Sequence, residues 1–509
     1  MRFYKKKRET VLYFQKDCAI LTVTHWRTAP LLRGRVSTAE EKENCFLESR
    51  EMRWIFQRLY KWNLLRSLNP GRIVVASFAI IILVGALLLM LPISSRDGQV
   101  TDFISCLFTA TSATCVTGLI VVDTYMHWTL FGQVVIICLI QLGGLGFMTL
   151  ISVISFLLRR RIGLSERLLM ASTLNLNDMD GVVRVVRHAL MGTFLLEGIG
   201  AAILALRFIP DFGLLKGIWR GIFHSISAFC NAGFDILGVD QPFVSLTNYN
   251  DDPVILLVIM SLIVIGGLGF FVWEDILRCR KDLRKLSLYS KMVLCMTAAL
   301  IIGGTLFFLA VEWHNPATLG DMPVWQKVVN SMFQAITLRT AGYDSVGQAG
   351  LLDSSLVMGC ILMLIGGSSG STAGGIKTGT IAVLLLTLRA GLVGREAVTF
   401  RGRTIAQRRV MDAMTLALVM LFLFLVGSMV ISTVEDLPYL DCAFEVASAM
   451  GTVGLTTGLT PNLTPFSQTL IILLMYLGRV GVLSFSIALM TRGRSMDKIR
   501  YPEMNVMIG

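Results

Sequence analysis

Read for its alternation of apolar and polar positions, the chain shows long apolar runs broken by short charged stretches. The runs predict spans at 72–93, 130–158, 185–207, 253–277, 287–311, 354–390, 410–433 and 466–490. A run of about 20 apolar residues is what a helix needs to cross a bilayer. Within each pair of spans lies an apolar segment too short to cross, at 103–114, 218–228, 325–336 and 440–450. Each reads as a re-entrant helix, which membrane depth tolerates only where backbone lines a watery cavity. The first span is expected to stop at Pro92, since proline ends a helix. The expected fold is an all-α polytopic membrane protein of eight spans plus four re-entrant helices. These form four pseudo-symmetric helix–pore-loop–helix units around a central pore.

Every short segment leads into the same pattern, a turn ending in glycine and then a large apolar or aromatic residue. The copies are Val116-Thr117-Gly118, Asn231-Ala232-Gly233, Thr340-Ala341-Gly342 and Thr452-Val453-Gly454, at near-equal intervals. A second cluster follows each: Gly143-Gly144-Leu145-Gly146, Gly266-Gly267-Leu268-Gly269, Gly366-Gly367-Ser368-Ser369-Gly370 and Gly478-Arg479-Val480-Gly481. A feature repeated at two places in every unit marks a quadruplicated module. The division that follows is an N-terminal cytosolic or interfacial segment 1–71, pore units 72–158, 159–277, 278–392 and 393–491, and a cytosolic tail 492–509.

Composition agrees: 54% of the 509 residues are hydrophobic and 16% charged, too few charges for a soluble surface of this size. The net charge of +12 would suggest nucleic acid in a soluble protein. Here it sits in alternate loops, among them Arg159, Arg160 and Arg161, then Arg278, Arg280 and Lys281, then Arg389, Arg395 and Arg401. The loops bearing the glycines hold acids instead, such as Asp102, Asp123, Asp235, Asp344 and Asp441. Basic loops stay in the cytoplasm, so both termini are expected inside, and nucleic-acid binding is excluded. Residues 1–51 lack the apolar core of a signal peptide and read as a disordered tail or part of an interfacial segment. Residues 52–66 alternate apolar and cationic groups as a helix lying on a membrane would, and Met52 reads as the natural start. Ten scattered cysteines without a Cys-x-x-Cys pair, and five histidines without ligand spacing, read as packing. They exclude an enzyme and any metal other than an ion at the glycines.

A bare cation at membrane depth needs oxygens to replace its water. Four converging loops supply backbone carbonyls for that from one chain, and glycine admits the backbone conformations required. The short helices end just before the loops, so their negative ends face the ion path, and the outer acids concentrate cations. The third unit departs from its siblings with Gly366, Gly367, Ser368, Ser369, Gly370, Ser371, Thr372, Ala373, Gly374, Gly375 and Lys377 in mid-span, a composition that breaks a helix into a loop. It misses the phosphate-loop spacing, since Ile376 stands where lysine is required. Arg479, a cation within the last span, reads as an electrostatic barrier below the filter or as half of a buried ion pair. Glu197 reads as a structural partner of a polar group and His224 as packing.

On these residues, together with Leu89-Met90-Leu91-Pro92 and the Arg-Arg-Ile-Gly-Leu-Ser-Glu-Arg-Leu-Leu run after the second span, the chain resembles the Trk/Ktr/HKT superfamily of potassium transporters over about 66–492. It is most similar to the bacterial Ktr type. The resemblance implies a pore subunit of the bacterial cytoplasmic membrane, likewise a homodimer, with a separate cytosolic nucleotide-binding subunit of Rossmann type docked on the basic face. It implies potassium selectivity, since glycine stands in all four filters, and gating by the third-unit loop with Arg479. No cofactor is expected in this chain; potassium is the substrate, with sodium as a possible coupling or activating ion. Only Thr452-Val453-Gly454 matches the threonine-valine-glycine order of tetrameric potassium channels, so a sodium-permeable or sodium-coupled relative is the alternative.

Overall fold

The computed structural model describes residues 70–146, 182–239, 241–279 and 282–481. The expected interfacial segment, the Arg159–Arg161 cluster and the C-terminal tail lie outside these residues. The described chain is helical apart from one small hairpin. In order it forms α1 (Pro70–Leu89), α2 (Phe103–Cys115), α3 (Thr124–His127), α4 (Leu130–Leu145), α5 (Val182–Phe212), α6 (Leu214–Phe229), α7 (Pro253–Leu268) and α8 (Phe270–Cys279). There follow α9 (Leu288–Val311), α10 (Val324–Thr337), α11 (Asp353–Leu364), α12 (Thr378–Leu392), the hairpin β1 (Thr399–Phe400) and β2 (Arg403–Thr404), α13 (Gln407–Glu435), α14 (Tyr439–Gly451) and α15 (Pro465–Val480).

Local chemistry sets the boundaries. Asp102 caps α2 by accepting from the Ile104 and Ser105 amides, and Asp252 caps α7 in the same way with Pro253 in the first turn. These side chains satisfy donors that a helix N-terminus leaves free. The stop of α1 differs from expectation. The helix ends at Leu89 and Pro92 opens a short 3-10 turn, because the residue before a proline must be extended, as Leu91 is at ψ 138°.

Four helical stretches are long and apolar enough to cross a membrane: Arg72–Leu89, Arg187–Phe212, Leu288–Val311 and Gln407–Glu435. A fifth is added if α7 and α8, bent by 94° at their junction, count as one span. The expected continuous second spans are interrupted at their glycines. Gly146, Gly269 and Gly481 cap α4, α7 and α15 at φ 79°, 88° and 86°, and 354–390 splits into α11 and α12. Hydropathy carries no record of such breaks, since only the backbone freedom of glycine produces them.

Polarity is arranged inside out. The four long helices expose Leu83, Leu87, Leu195, Leu206, Ile302, Leu306, Leu418, Phe422 and Met429, a surface suited to lipid rather than water. The short helices α2, α6, α10 and α14 are the most enclosed. Every residue of α14 from Cys442 to Gly451 is buried, including Glu445 and Ser448. Close packing at small residues permits this. A side chain at Gly217 or Gly221 of α6 would strike the backbone of α5 at Ile209 or Ala205.

Candidate functional site

The last turn of each short helix delivers the chain into a left-handed residue. Val116, Asn231, Thr340 and Thr452 have φ of 58°, 59°, 68° and 53°. Three of these are β-branched, and such residues occupy this region only where the surroundings hold them. Two positions on, Gly118, Gly233, Gly342 and Gly454 have φ of 96°, 69°, 83° and 99°. Thr117, Ala232, Ala341 and Val453, between them, are fully buried.

The four glycines approach one another in cyclic order. A methyl placed on Gly118 would collide with Ala232 O of the second loop, and one on Gly233 would lie 2.6 Å from Ala341 O of the third. One on Gly342 would collide with Val453 O of the fourth, and one on Gly454 with Thr117 O of the first, which closes the circle. Each loop thus sets the carbonyl before its glycine against the bare Cα of a neighbour. Asn231 and Thr340 join two loops through side chains. With its amide nitrogen toward Ala228 O (3.3 Å) and Ile263 O (3.2 Å), Asn231 accepts from Thr340 Oγ1 at 3.3 Å.

A row of hydroxyls that sequence reasoning did not single out fastens these turns. Ser112 Oγ and Ser448 Oγ accept from the amides of Gly118 and Gly454, both at 3.0 Å. Ser227 Oγ and Thr337 Oγ1 instead donate to Phe234 O (2.8 Å) and Tyr343 O (2.6 Å), the carbonyls just past the glycines of their loops. A second row follows the phenylalanine that opens each copy. Glu445 accepts from Thr460 Oγ1 at 2.6 Å and from Thr456 Oγ1. Gln334 donates to Gln348 at 2.6 Å, which donates in turn to Asp344 at 2.7 Å. His224 places Nδ1–H on Arg220 O (2.8 Å), leaving Nε2 to accept from the Ile236 amide (3.4 Å). Thr109, the first-unit counterpart, bonds within its own helix, to Ser105 O. Superposing the four sequence copies would have exposed both rows, because each holds a polar residue where a buried helix has no general need of one.

Beneath the turns, the second glycine cluster is a packing contact. A side chain at Gly143, Gly266 or Gly478 would collide with Thr114 O, Phe229 O or Met450 O, at the ends of α2, α6 and α14. The third-unit segment Gly366–Lys377 docks on the bend between α7 and α8. The Ser368 amide donates to Gly267 O (3.0 Å), the Thr372 amide to Gly266 O (3.4 Å) and the Phe270 amide to Gly370 O (3.0 Å), while Ser368 Oγ bonds Leu268 O. Backbone groups freed at the bend and backbone groups of the loop satisfy one another, as buried peptide groups must. Ser371 Oγ closes back on Ser368 O at 2.7 Å, and Thr372 Oγ1 donates to Phe229 O at 3.2 Å. Ala373 is buried, Gly374 abuts the Thr452 side chain and Gly375 lies at φ 63° beside Gly366. Lys377 donates to Ala373 O at 2.6 Å, and Ser369 lies against Gly269.

Arg479 reaches this loop from α15. Its guanidinium bonds Thr372 O on one side and, on the other, Gly143 O and Gly144 O at the end of α4. The buried ion pair considered from sequence is not what these bonds form: the partners named are carbonyls. Glu197 on α5 accepts from Gln141 Nε2 at 3.1 and 3.2 Å, with Cys230 Sγ 3.9 Å away. Among the described residues, no group of three or more His, Cys, Asp or Glu is placed to hold a metal ion.

Comparison with known proteins places this geometry. Residues 52–497 match the TrkH family model, described as a cation transport protein. The chain is 43% identical to the potassium/sodium uptake protein NtpJ of Enterococcus hirae, over 87% of this chain and 98% of that one. It is 40% identical to the Ktr system potassium uptake protein B of Bacillus subtilis, over 87% and 97%. The crystal structure of the potassium transporter TrkH from Vibrio parahaemolyticus shares the fold, with a TM-score of 0.64 at 19% identity over 83% and 84% of the two chains. These relatives are transporters rather than enzymes, and the present chain is a member of the TrkH family of cation transport proteins.

Proposed function

We propose that the protein takes up potassium across a bacterial cytoplasmic membrane through the ring formed by Gly118, Gly233, Gly342 and Gly454. The observation that carries this reading is the cyclic approach of four backbone carbonyls to four side-chain-free Cα atoms. Carbonyls gathered about one axis replace a cation's hydration shell without introducing a fixed charge. The left-handed turns, pinned by Ser112, Ser227, Thr337 and Ser448, hold the oxygens where the ion requires them. In this reading the chain crosses eight times with four re-entrant helices, both termini are cytosolic, and the ring faces outward. The segment Gly366–Lys377 with Arg479 forms the gate below. Two copies pair, and a cytosolic nucleotide-binding subunit acts on the gate from the basic face. The named activities of the Enterococcus and Bacillus relatives support uptake of potassium.

Expression in a bacterium lacking its own potassium uptake, together with a Ktr-type regulatory subunit, tests this. Growth at limiting potassium is expected from the wild type, and Gly118→Ser is expected to raise sodium entry relative to potassium entry. Absence of growth with both subunits in the membrane overturns the proposal. A second reading, sodium permeation or coupling, is favoured by the dual potassium/sodium naming of the Enterococcus relative. Tracer fluxes of rubidium and sodium, each measured with and without the other ion, separate the two.

A further inference from the structure

The hairpin after α12 covers a pocket that the ion pathway does not use. A cavity of about 270 Å³ lies between the end of α12 and the β1–β2 turn, with Arg389, Arg395 and Arg401 around it, Leu386 and Val393 on its apolar side, and Gly402 at its edge. Among the described residues no carboxylate lines it, and none of the three arginines forms an ion pair. All three arginines are solvent-exposed, and three guanidinium groups around one concavity are suited to an anion between them.

The hairpin holds one of these arginines against backbone preference. β1 and β2 are joined by two residues, Arg401 at φ 46° and Gly402 at φ 80°. Both therefore occupy the left-handed region, which a tight two-residue hairpin requires. Asparagine, aspartate or glycine suits the first of these positions, and arginine there is strained. Leu385, Leu388 and Leu392 of α12 are 52%, 61% and 80% exposed. Their spacing puts them along one side of the helix, beside the face from which Leu386, Arg389 and Val393 line the pocket. An anionic pocket ligand that also offers hydrocarbon to that stripe satisfies both features at once.

We infer that this pocket binds the phosphate headgroup of an anionic phospholipid of the inner leaflet, with an acyl chain along Leu385, Leu388 and Leu392. A free phosphate would satisfy the arginines and leave the leucine stripe unexplained. Basic pockets at the cytoplasmic ends of membrane helices are suited to such headgroups.

The test uses the full-length protein purified in detergent, with phosphatidylglycerol, phosphatidylcholine and inorganic phosphate as probes, read by native mass spectrometry. Wild type is expected to retain phosphatidylglycerol at least about tenfold over phosphatidylcholine. The triple variant Arg389→Gln/Arg395→Gln/Arg401→Gln is expected to lose that preference, and the equally charge-reduced Arg403→Gln/Arg408→Gln/Arg409→Gln to keep it. Equal retention by the first variant, or equal loss in the second, overturns the assignment. So does displacement of the lipid by millimolar inorganic phosphate. Thermal unfolding of wild type gives a reading independent of any variant. Its midpoint is expected to rise with phosphatidylglycerol and not with phosphatidylcholine, and equal shifts overturn the inference.

Discussion

The ring of glycines and the layer beneath it are built from the same four-fold repeat, yet only one keeps the repeat. In the ring, each loop has a left-handed residue, a buried residue and a glycine of positive φ, and each strikes its neighbour in the same sense. Below, three second helices stop at one glycine each, at Gly146, Gly269 and Gly481, whereas the third unit inserts Gly366–Lys377. If the ring is the ion filter and the third-unit loop the gate, as proposed above, the difference follows from what each layer is asked to do. An ion held by carbonyls from four sides needs near-equivalent donors, so a change in one loop degrades the whole ring. A gate needs one element with two positions, and equivalence there would serve nothing.

The sharpest way to break this comparison is to put a side chain on one glycine from each layer. Gly342→Ala would set a methyl against Val453 O at a φ that L residues avoid. Together these are expected to cut rubidium uptake about a hundredfold, near 3 kcal/mol. At Gly146 no described atom lies within 4 Å of an added Cβ, and the strain of Gly146→Ala at φ 79° and ψ 152°, about 1–3 kcal/mol, is expected to lower uptake about tenfold. Comparable losses would mean that the lower layer is as constrained as the ring.

The next effect in size belongs to Arg479→Gln, which leaves Thr372 O, Gly143 O and Gly144 O without their charged donor. Uptake in the absence of the regulatory subunit is expected to rise about tenfold, since a charge-assisted hydrogen bond contributes about 1.5–3 kcal/mol. Tracer entry into proteoliposomes measures it, and unchanged entry would show that Arg479 does not restrain the loop. Smaller again is loss of a hydroxyl from the ring. Ser448→Ala or Ser227→Ala removes about 1 kcal/mol of restraint on one turn, and the potassium-over-sodium ratio should fall about five-fold in competition assays. The mildest change is Glu445→Gln, which keeps one acceptor for Thr456 or Thr460. It is expected to shift the half-saturating potassium concentration about two-fold with little change in maximal rate, and a larger loss of rate would assign Glu445 a place in conduction.

Much of this molecule was legible in its sequence, and the omissions share a cause. The four short helices lie within a few residues of their expected positions, because a buried segment flanked by capping residues such as Asp102 and glycine signals both of its ends. The third-unit loop was legible from its glycines and hydroxyls. The breaks at Gly146 and Gly269 were not, since hydropathy runs on unaltered through them and α7 is as apolar as any span. The partners of Arg479 were equally hidden. Two of the three lie more than 300 positions away in the chain, and all are carbonyls, which every residue possesses. The hydroxyl row from Ser112 to Ser448 needed the copies to be superposed, for serine within a single short helix carries no message.

The hydrogen bonds between the third-unit loop and the elbow at Gly269 carry one more consequence. If the loop swings aside, Gly266 O, Gly267 O, Leu268 O and the Phe270 amide lose their partners together, and hydrocarbon offers no substitute. Only solvent can take the vacated positions. In the proposed gate, displacement of the loop is therefore coupled to entry of water beneath the ring, because each freed backbone group must find a new partner.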